Sequence, residues 1–234
     1  MYDLARGPFI WVAFVIFIIG MVYRIIQINA LIRVNENYKP SKVQQKKPAK
    51  KKAAKKPIAP KISADEIALQ RILKFKDSLL YKHPVVAIVS FIFHCCLLIA
   101  PLFALGHSLA FYQSWGFATP SLPDGLIDFL TILVLVGGLF FLIRRLMIPR
   151  VRAISSINDY LLLLVTAAPF LTGFMAYHQW FDYKTIILLH LLAGEIMLIT
   201  IPFTKLGHMV FFFFVRFFTR SEHNWGSGKK GWIV

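Results

Sequence analysis

The sequence predicts an all-α integral membrane protein: a bundle of five membrane-spanning helices with the N-terminus outside and the C-terminus in the cytoplasm. Of its 234 residues, 57% are hydrophobic and 16% are charged, and the mean hydropathy is +0.63. A soluble domain is about half apolar and about a quarter charged. This composition, together with long uninterrupted apolar runs, excludes disordered, collagen-like and disulfide-rich chains.

Five apolar runs are long enough to cross a bilayer, which takes about 20 residues at the helical rise of about 1.5 Å per residue. The first run lacks the basic start and the small-residue cleavage site of a signal peptide, so we expect it to be retained as a helix. The five runs extend approximately over residues 9–28, 85–105, 126–143, 160–176 and 185–206.

Basic residues set the predicted orientation. Three segments, which extend from the ends of the first, third and fifth runs over residues 24–82, 144–152 and 205–230, hold all of the 27 lysines and arginines except Arg6 and Lys184. An odd number of spans places these segments on one face, and the positive-inside rule makes that face cytoplasmic. Aromatic residues typical of a membrane interface fall near the predicted outer boundaries, namely Trp11, Tyr112, Trp115, Tyr177 and Trp180.

The composition divides the chain into four parts. In the second part, residues 40–61 are mostly lysine, alanine and proline, so we expect a solvated tether that favours anionic lipid or an acidic partner over nucleic acid. The sequence S-A-D-E from Ser63 is typical of a helix start. A helix over about 63–80 is expected to lie on the inner membrane surface or to serve only as a connection. The parts are the first transmembrane helix (1–32), the basic tether and surface helix (33–82), a four-helix core (83–218) and a basic tail (219–234).

The two cysteines, Cys95 and Cys96, are adjacent in an apolar run. Neighbouring cysteines rarely form a disulfide, and the chain has no spacing typical of cluster ligands. We expect both to be small core residues, and an iron–sulfur cluster held by this chain alone is excluded.

Four of the seven histidines lie in or at the ends of the second and fifth runs: His94, His107, His190 and His208. Ionisable residues are costly within a bilayer, so each one needs a reason. A neutral imidazole is a usual axial ligand of haem iron, and facing helices can hold a macrocycle between two such rings. A single buried histidine is often only hydrogen-bonded to a neighbour, but four together favour iron ligation.

The spacing of the fifth run suits two ligands on one face. His190 and His208 are eighteen residues apart, which on a continuous helix is five turns and about 27 Å. His94 and His107 are thirteen residues apart and would lie roughly 140° apart around a straight helix. Pro101 lies between them and can kink the helix, which changes this angle.

Two further histidines remain alternatives as ligands. His83 and His94 are eleven residues apart, so they would share a helical face to within about 20°. His83 also adjoins a proline at the water boundary and has charged neighbours, which favours an ordinary solvated histidine over a ligand. His178, at the outer end of the fourth run, is the third candidate.

The fifth run, L-L-H-L-L-A-G-E-I-M-L-I-T-I-P-F-T-K-L-G-H-M, resembles the last helix of the respiratory nitrate reductase gamma subunit, a dihaem cytochrome b. Its two histidines have the spacing of that family. The run R-R-L-M-I-P-R-V-R-A from Arg144 resembles the turn between helices three and four of the family. In the second run, I-F-H and G-H resemble its ligand-bearing helix, although they lie thirteen residues apart here and ten in the family. The resemblance covers roughly residues 84–218.

The basic tether and the segment P-F-L-T-G-F-M-A-Y-H over residues 169–178 are more similar to the cytochrome b subunits of the transmembrane redox complexes of sulfate-reducing bacteria. This resemblance implies a bacterial inner membrane, two b haems and a quinone site, for menaquinone, beside the outer haem. It also implies a cytoplasmic iron–sulfur partner and a periplasmic multihaem cytochrome c.

Carried over to this chain, the resemblance implies that His107 and His190 hold the outer haem and that His94 and His208 hold the inner one. Gly106 would allow a macrocycle or a quinone to approach closely, because glycine has no side chain.

Each of the charged residues near these histidines has two possible roles. Lys205, Arg144 and Arg145 could neutralise a propionate of the inner haem, or they are ordinary positive-inside residues. Glu195 has no basic partner in its own helix, and we expect a structural contact, with a proton relay as the alternative.

The expected function is therefore that of a membrane subunit that transfers electrons between quinone and iron–sulfur or cytochrome c partners and is catalytic only within a complex. The alternative is a haem-free anchor of such a complex. A small transporter is disfavoured because the sequence shows neither inverted repeats nor broken helices around a central polar site.

Overall fold

The structure is a computed structural model, and it describes residues 4–37, 79–209 and 211–212. All regular elements in these ranges are helices, and five are long and apolar enough to cross a membrane. The predicted all-α fold with five spans is therefore confirmed, whereas the orientation of the termini stays a prediction. The predicted tether lies outside the described residues, as does the predicted surface helix except at its end.

The five long helices are α1, α3, α5, α7 and α8, and three shorter ones lie between them. A π-helical turn, Ala5–Phe9, precedes α1, and a 3-10 turn, Lys205–Gly207, follows α8. The helices in chain order are α1 (Ile10–Asn37), α2 (Leu79–Lys82), α3 (Pro84–Phe103), α4 (Leu105–Trp115), α5 (Asp124–Met147), α6 (Pro149–Ala153), α7 (Ile157–Tyr177) and α8 (Tyr183–Phe203).

The described residues fall into two compact units. One comprises those within 1–28 and 89–234, and the other those within 29–88. The four histidines of the predicted site belong to the first unit.

A small apolar core holds the helices of the first unit together. It forms where α3, α5 and α7 meet, and most other large apolar side chains are exposed, as expected of a surface that faces lipid. Cys96 belongs to this core, as predicted, and Cys95 is half-buried. The buried members are Phe93, Cys96, Ala100, Val134 and Phe170.

The two ends of the bundle differ in composition. At one, the tryptophan end, α1 and α4 meet through Trp11 and Trp115, whose ring centroids are 5.6 Å apart. At the other, the basic end, Arg144 and Arg145 close α5 and Lys205 follows α8.

Two helices begin with acidic caps. Before α7, the backbone N–H and the hydroxyl of Ser156 donate to Oδ2 of Asp159 at 2.9 and 3.1 Å. Before α8, Asp182 accepts from the hydroxyl and the backbone N–H of Thr185. These hydrogen bonds lower the pKa of Asp182 from its ordinary value. The cap is therefore intact at neutral pH and is lost as the pH falls through that lowered pKa.

A break in the helix separates His94 of α3 from His107 of α4, and the sequence did not predict it. Helix α3 ends at Phe103, and Ala104 is extended, with φ −69° and ψ 132°. The end of a helix leaves carbonyls without helical partners, and other groups can satisfy them. Here the hydroxyl of Thr119 donates to the carbonyl of Leu102 at 3.0 Å, and the backbone N–H of Leu122 donates to that of Phe103 at 3.0 Å.

The last span also ends earlier than expected. Helix α8 stops at Phe203, and Thr204 is extended, with φ −126° and ψ −178°. The hydroxyl of Thr204 donates to the carbonyl of Thr200 at 2.7 Å, which replaces a helical hydrogen bond. The expectation that His190 and His208 share one continuous helix is therefore wrong, because the helix ends one residue after Pro202.

Helix α1 packs against the end of α8 through a glycine. A Cβ added at Gly20 would lie 2.7 Å from Cγ of Pro202 and 3.0 Å from Cζ of Phe203. We expect Gly20→Ala to destabilise the protein by about 1–3 kcal/mol, because overpacking forces the two helices apart. Thermal unfolding in detergent measures this effect. Gly7→Ala is the control, since a Cβ there meets no atom within 4 Å, and equal unfolding temperatures for both variants would contradict the prediction.

Candidate functional site

The structure brings the four predicted histidines together as two pairs. His107 of α4 faces His190 of α8, and His94 of α3 faces His208, which follows α8. These are the pairings that the resemblance implies. Among the described residues, no group of three or more histidine, cysteine, aspartate or glutamate side chains could hold a metal ion.

The pair near the tryptophan end meets nitrogen to nitrogen. The Nε2 atoms of His107 and His190 are 3.4 Å apart, the ring centroids are 5.7 Å apart, and the ring planes differ by 13°. The centroids are farther apart than the nitrogens by about one ring diameter. The rings therefore meet end to end rather than face to face, and both Nε2 atoms point into the space between them.

A proline carbonyl orients each ring of this pair. Nδ1 of His107 lies 2.6 Å from the carbonyl oxygen of Pro101, and Nδ1 of His190 lies 2.9 Å from that of Pro169. The carbonyl of Pro101 is in the last turn of α3, where the break at Ala104 leaves carbonyls without helical partners. A carbonyl only accepts, so both Nδ1 atoms carry the proton, and in the neutral rings both Nε2 atoms carry a lone pair.

Gly173 of α7 makes room for the ring of His190. A Cβ at this position would lie 2.9 Å from Cε1 and 3.1 Å from Nδ1 of His190. The neighbouring hydroxyl of Thr172 is 3.4 Å from the same Nδ1. The sequence analysis missed Gly173, although it lies in the P-F-L-T-G-F segment that carries part of the resemblance.

The pair near the basic end has the same hydrogen-bonding pattern with a different ring geometry. Nδ1 of His94 lies 2.6 Å from the carbonyl oxygen of Ser90, and Nδ1 of His208 lies 2.6 Å from that of Lys205. The ring centroids are 5.8 Å apart and the planes are nearly perpendicular, at 85°. His94 is half-buried and His208 is exposed.

The two alternative histidines have other surroundings. Nε2 of His178 lies 2.8 Å from Oδ2 of Asp128, and its ring contacts Phe174 at a centroid distance of 4.3 Å. His178 thus links α7 to α5. His83 is exposed at the residue before α3, in the unit formed by the described part of 29–88.

The charged candidates at the basic end differ in whether they have a partner. Nζ of Lys205 lies 2.8 Å from Oδ1 of Asp159, and a guanidinium nitrogen of Arg145 lies 3.8 Å from Oδ2 of the same carboxylate. In contrast, Nε of Arg144 is buried and has no hydrogen-bond partner among the described residues.

The remaining candidates line α4 and α8. Glu195 is 8% exposed, and its buried Oε1 has no hydrogen-bond partner among the described residues. A Cβ added at Gly106, beside His107, or at Gly194, one turn after His190, would meet no atom within 4 Å.

The chain is similar over most of its length to a protein of Nitratidesulfovibrio vulgaris (strain Hildenborough). The two are 34% identical over 217 residues, which cover 92% of this chain and 90% of that protein. This chain belongs to the same family. The family member is named only "Protein", which states no activity, and the similarity within the family extends well beyond residues 84–218. No protein-family model and no solved structure matches the chain.

Proposed function

We propose that the chain is a dihaem cytochrome b subunit that transfers electrons between membrane quinone, such as menaquinone, and iron–sulfur or cytochrome c partner subunits. The observation that carries the proposal is the pairing of four histidines whose Nδ1 atoms all donate to backbone carbonyls. Metal-ligating histidines almost always donate their other ring N–H in this way, which orients the ring and raises its basicity.

The chemistry of the pair near the tryptophan end supports a metal ion between the rings. Two lone pairs that face each other at 3.4 Å repel, and an ion that accepts both electron pairs removes this repulsion. His107 and His190 would hold such an ion through their Nε2 atoms. A pair suits haem iron because the porphyrin supplies the other ligands, whereas zinc takes three or four protein ligands.

The surroundings also fit a macrocycle. Gly106, next to His107 in α4, and Gly194, one turn after His190 in α8, place no side chain near the pair, and a Cβ at either position would meet no atom within 4 Å. The buried, unpartnered Nε of Arg144 suits a carboxylate such as a propionate, because a buried guanidinium nitrogen without a partner is costly. Lys205 is engaged by Asp159, so Arg144 is the better candidate for this contact.

The chain's own residues would orient the ligands, exclude water and bind a partner subunit. Bound haem supplies reversible one-electron chemistry, and two such groups at different depths allow electrons to cross the bilayer in steps. Backbone carbonyls hold the four imidazoles in the required tautomer, and the apolar helices exclude water. Under the positive-inside rule the basic end is cytoplasmic, where its arginines and lysines would dock an acidic face of an iron–sulfur partner.

Purification of the full chain from a haem-competent host tests the proposal. We expect two haems per chain, a b-type reduced spectrum, and two different low-spin electron paramagnetic resonance signals in the oxidised protein. The signals should differ because the ring planes are nearly parallel in one pair and nearly perpendicular in the other, at 13° and 85°. A sample without a b-type band would refute the proposal and leave a haem-free anchor.

A further inference from the structure

We propose that Arg24 of α1 and Asp159 of α7 are positioning residues for His208. Asp159 holds the turn 204–208 through Lys205, and Arg24 holds the last turn of α8, from which that turn continues. Together the two side chains determine the geometry of the histidine pair near the basic end. This inference rests on the proposed function, and it assigns a role within the site to the first helix, which lies outside residues 84–218.

The segment that carries His208 depends on contacts from outside. It follows the end of α8 at Phe203, begins with the extended residue Thr204 and continues as a 3-10 turn. His208 is exposed, and its Nδ1 is bound to the carbonyl of Lys205. The direction of its ring therefore depends on where the turn that follows α8 places the backbone of Lys205.

Asp159 holds Lys205 from α7. Oδ1 of its carboxylate accepts from Nζ of Lys205 at 2.8 Å, while Oδ2 accepts from the backbone N–H and hydroxyl of Ser156. The Asp159 side chain is 8% exposed, so this carboxylate is a fixed acceptor at the start of α7. Lys205 in turn binds His208 through its carbonyl, so two consecutive contacts connect Asp159 with the imidazole.

Arg24 of α1 holds the end of α8, directly before the segment. Its Nε donates to the carbonyl of Pro202 at 2.9 Å, and its guanidinium also donates to the side chain of Gln27 at 2.9 Å. The carbonyl of Pro202 lies in the last turn of α8, where helical partners are lacking, and a charged donor makes a strong hydrogen bond. Gly20, one turn earlier in α1, allows the two helices to approach closely at this point.

Two single variants of the full chain test the inference, Arg24→Met and Asp159→Asn. We expect each to weaken retention of the haem near the basic end by about tenfold or more, the scale seen when a residue that orients a metal ligand is lost. Its paramagnetic resonance signal and midpoint potential should shift, while those of the haem near the tryptophan end stay unchanged. Lys205→Met should match Asp159→Asn, and Lys205→Arg should restore the wild-type properties.

Matched controls separate positioning from general stability. Gln27→Ala removes the second partner of Arg24 but leaves the bond to Pro202, and Asp182→Ala removes a helix cap at the opposite end of α8. Equal changes at both haems, or no change at either, would overturn the inference. If Lys205 instead neutralises a propionate, Lys205→Met will weaken retention of the haem near the basic end and Asp159→Asn will not. That result would also overturn the inference.

A haem-free measurement keeps the inference separate from the proposed function. Chymotrypsin cleavage after Phe203 or Leu206 reports how firmly the segment is held, and we expect it to accelerate several-fold in Arg24→Met and Asp159→Asn but not in the controls. Wild-type protein without haem would refute the proposed function, and the cleavage rates would still decide whether the two side chains hold the segment. Unchanged cleavage would refute the inference.

Discussion

Replacing His190 with alanine is expected to remove one of two haems and to leave the other in place. His190 supplies one of the two imidazoles near the tryptophan end, and loss of an axial ligand leaves the iron without half of its protein attachment. His107→Ala should give the same result, whereas His94→Ala and His208→Ala should each remove the other haem. Haem content per chain and the low-spin signals of the oxidised protein measure these losses.

Histidines outside the two pairs provide the controls for this experiment. His178 is bound to Asp128, and His83 is exposed before α3, so His178→Ala and His83→Ala should both retain two haems. Retention of both haems in His190→Ala, or loss of one in His83→Ala, would contradict the assignment of ligands.

Gly173→Ala is expected to weaken haem binding near the tryptophan end without removing a ligand. The added carbon would lie 2.9 Å from Cε1 of His190, so the ring must shift away from the carbonyl of Pro169. Loss of such an orienting hydrogen bond typically costs about 10–100-fold in affinity. Haem retention during dilution, followed through the two separate signals, measures the effect, and the second haem should be unaffected.

Gly125→Ala is the matched control for this substitution. Gly125 lies in the first turn of α5, and a Cβ there would meet no atom within 4 Å. If Gly173→Ala retains both haems as firmly as Gly125→Ala, the close approach of α7 to His190 has no part in ligand orientation.

The spans could be predicted from the sequence because the bilayer imposes a minimum length of apolar residues on each helix. The interruptions could not, because prolines alone do not determine them. Pro169 lies within the continuous helix α7, whereas α3 ends two residues after Pro101. The difference depends on Thr119 and Leu122, which reach the freed carbonyls from a separate loop.

The candidate site could be predicted only as a set of residue types. Imidazoles in apolar runs, together with the resemblance, indicated which histidines to consider and how to group them. Two other features depend on contacts between helices that are distant in sequence. They are the space that Gly173 leaves for the ring of His190 and the ion pair of Lys205 with Asp159. Local spacing carries no information about such contacts.

Each histidine pair joins one residue on an uninterrupted helix, His94 or His190, to one that lies beyond a break, His107 or His208. The backbone dihedral angles at a break absorb insertions and deletions, so the number of intervening residues no longer dictates where the downstream imidazole points. Evolution can therefore lengthen or shorten such a span while both ligands keep facing their partners. A search template anchored on each histidine and its own carbonyl acceptor will recognise this architecture, whereas one that demands a fixed ligand spacing will overlook it.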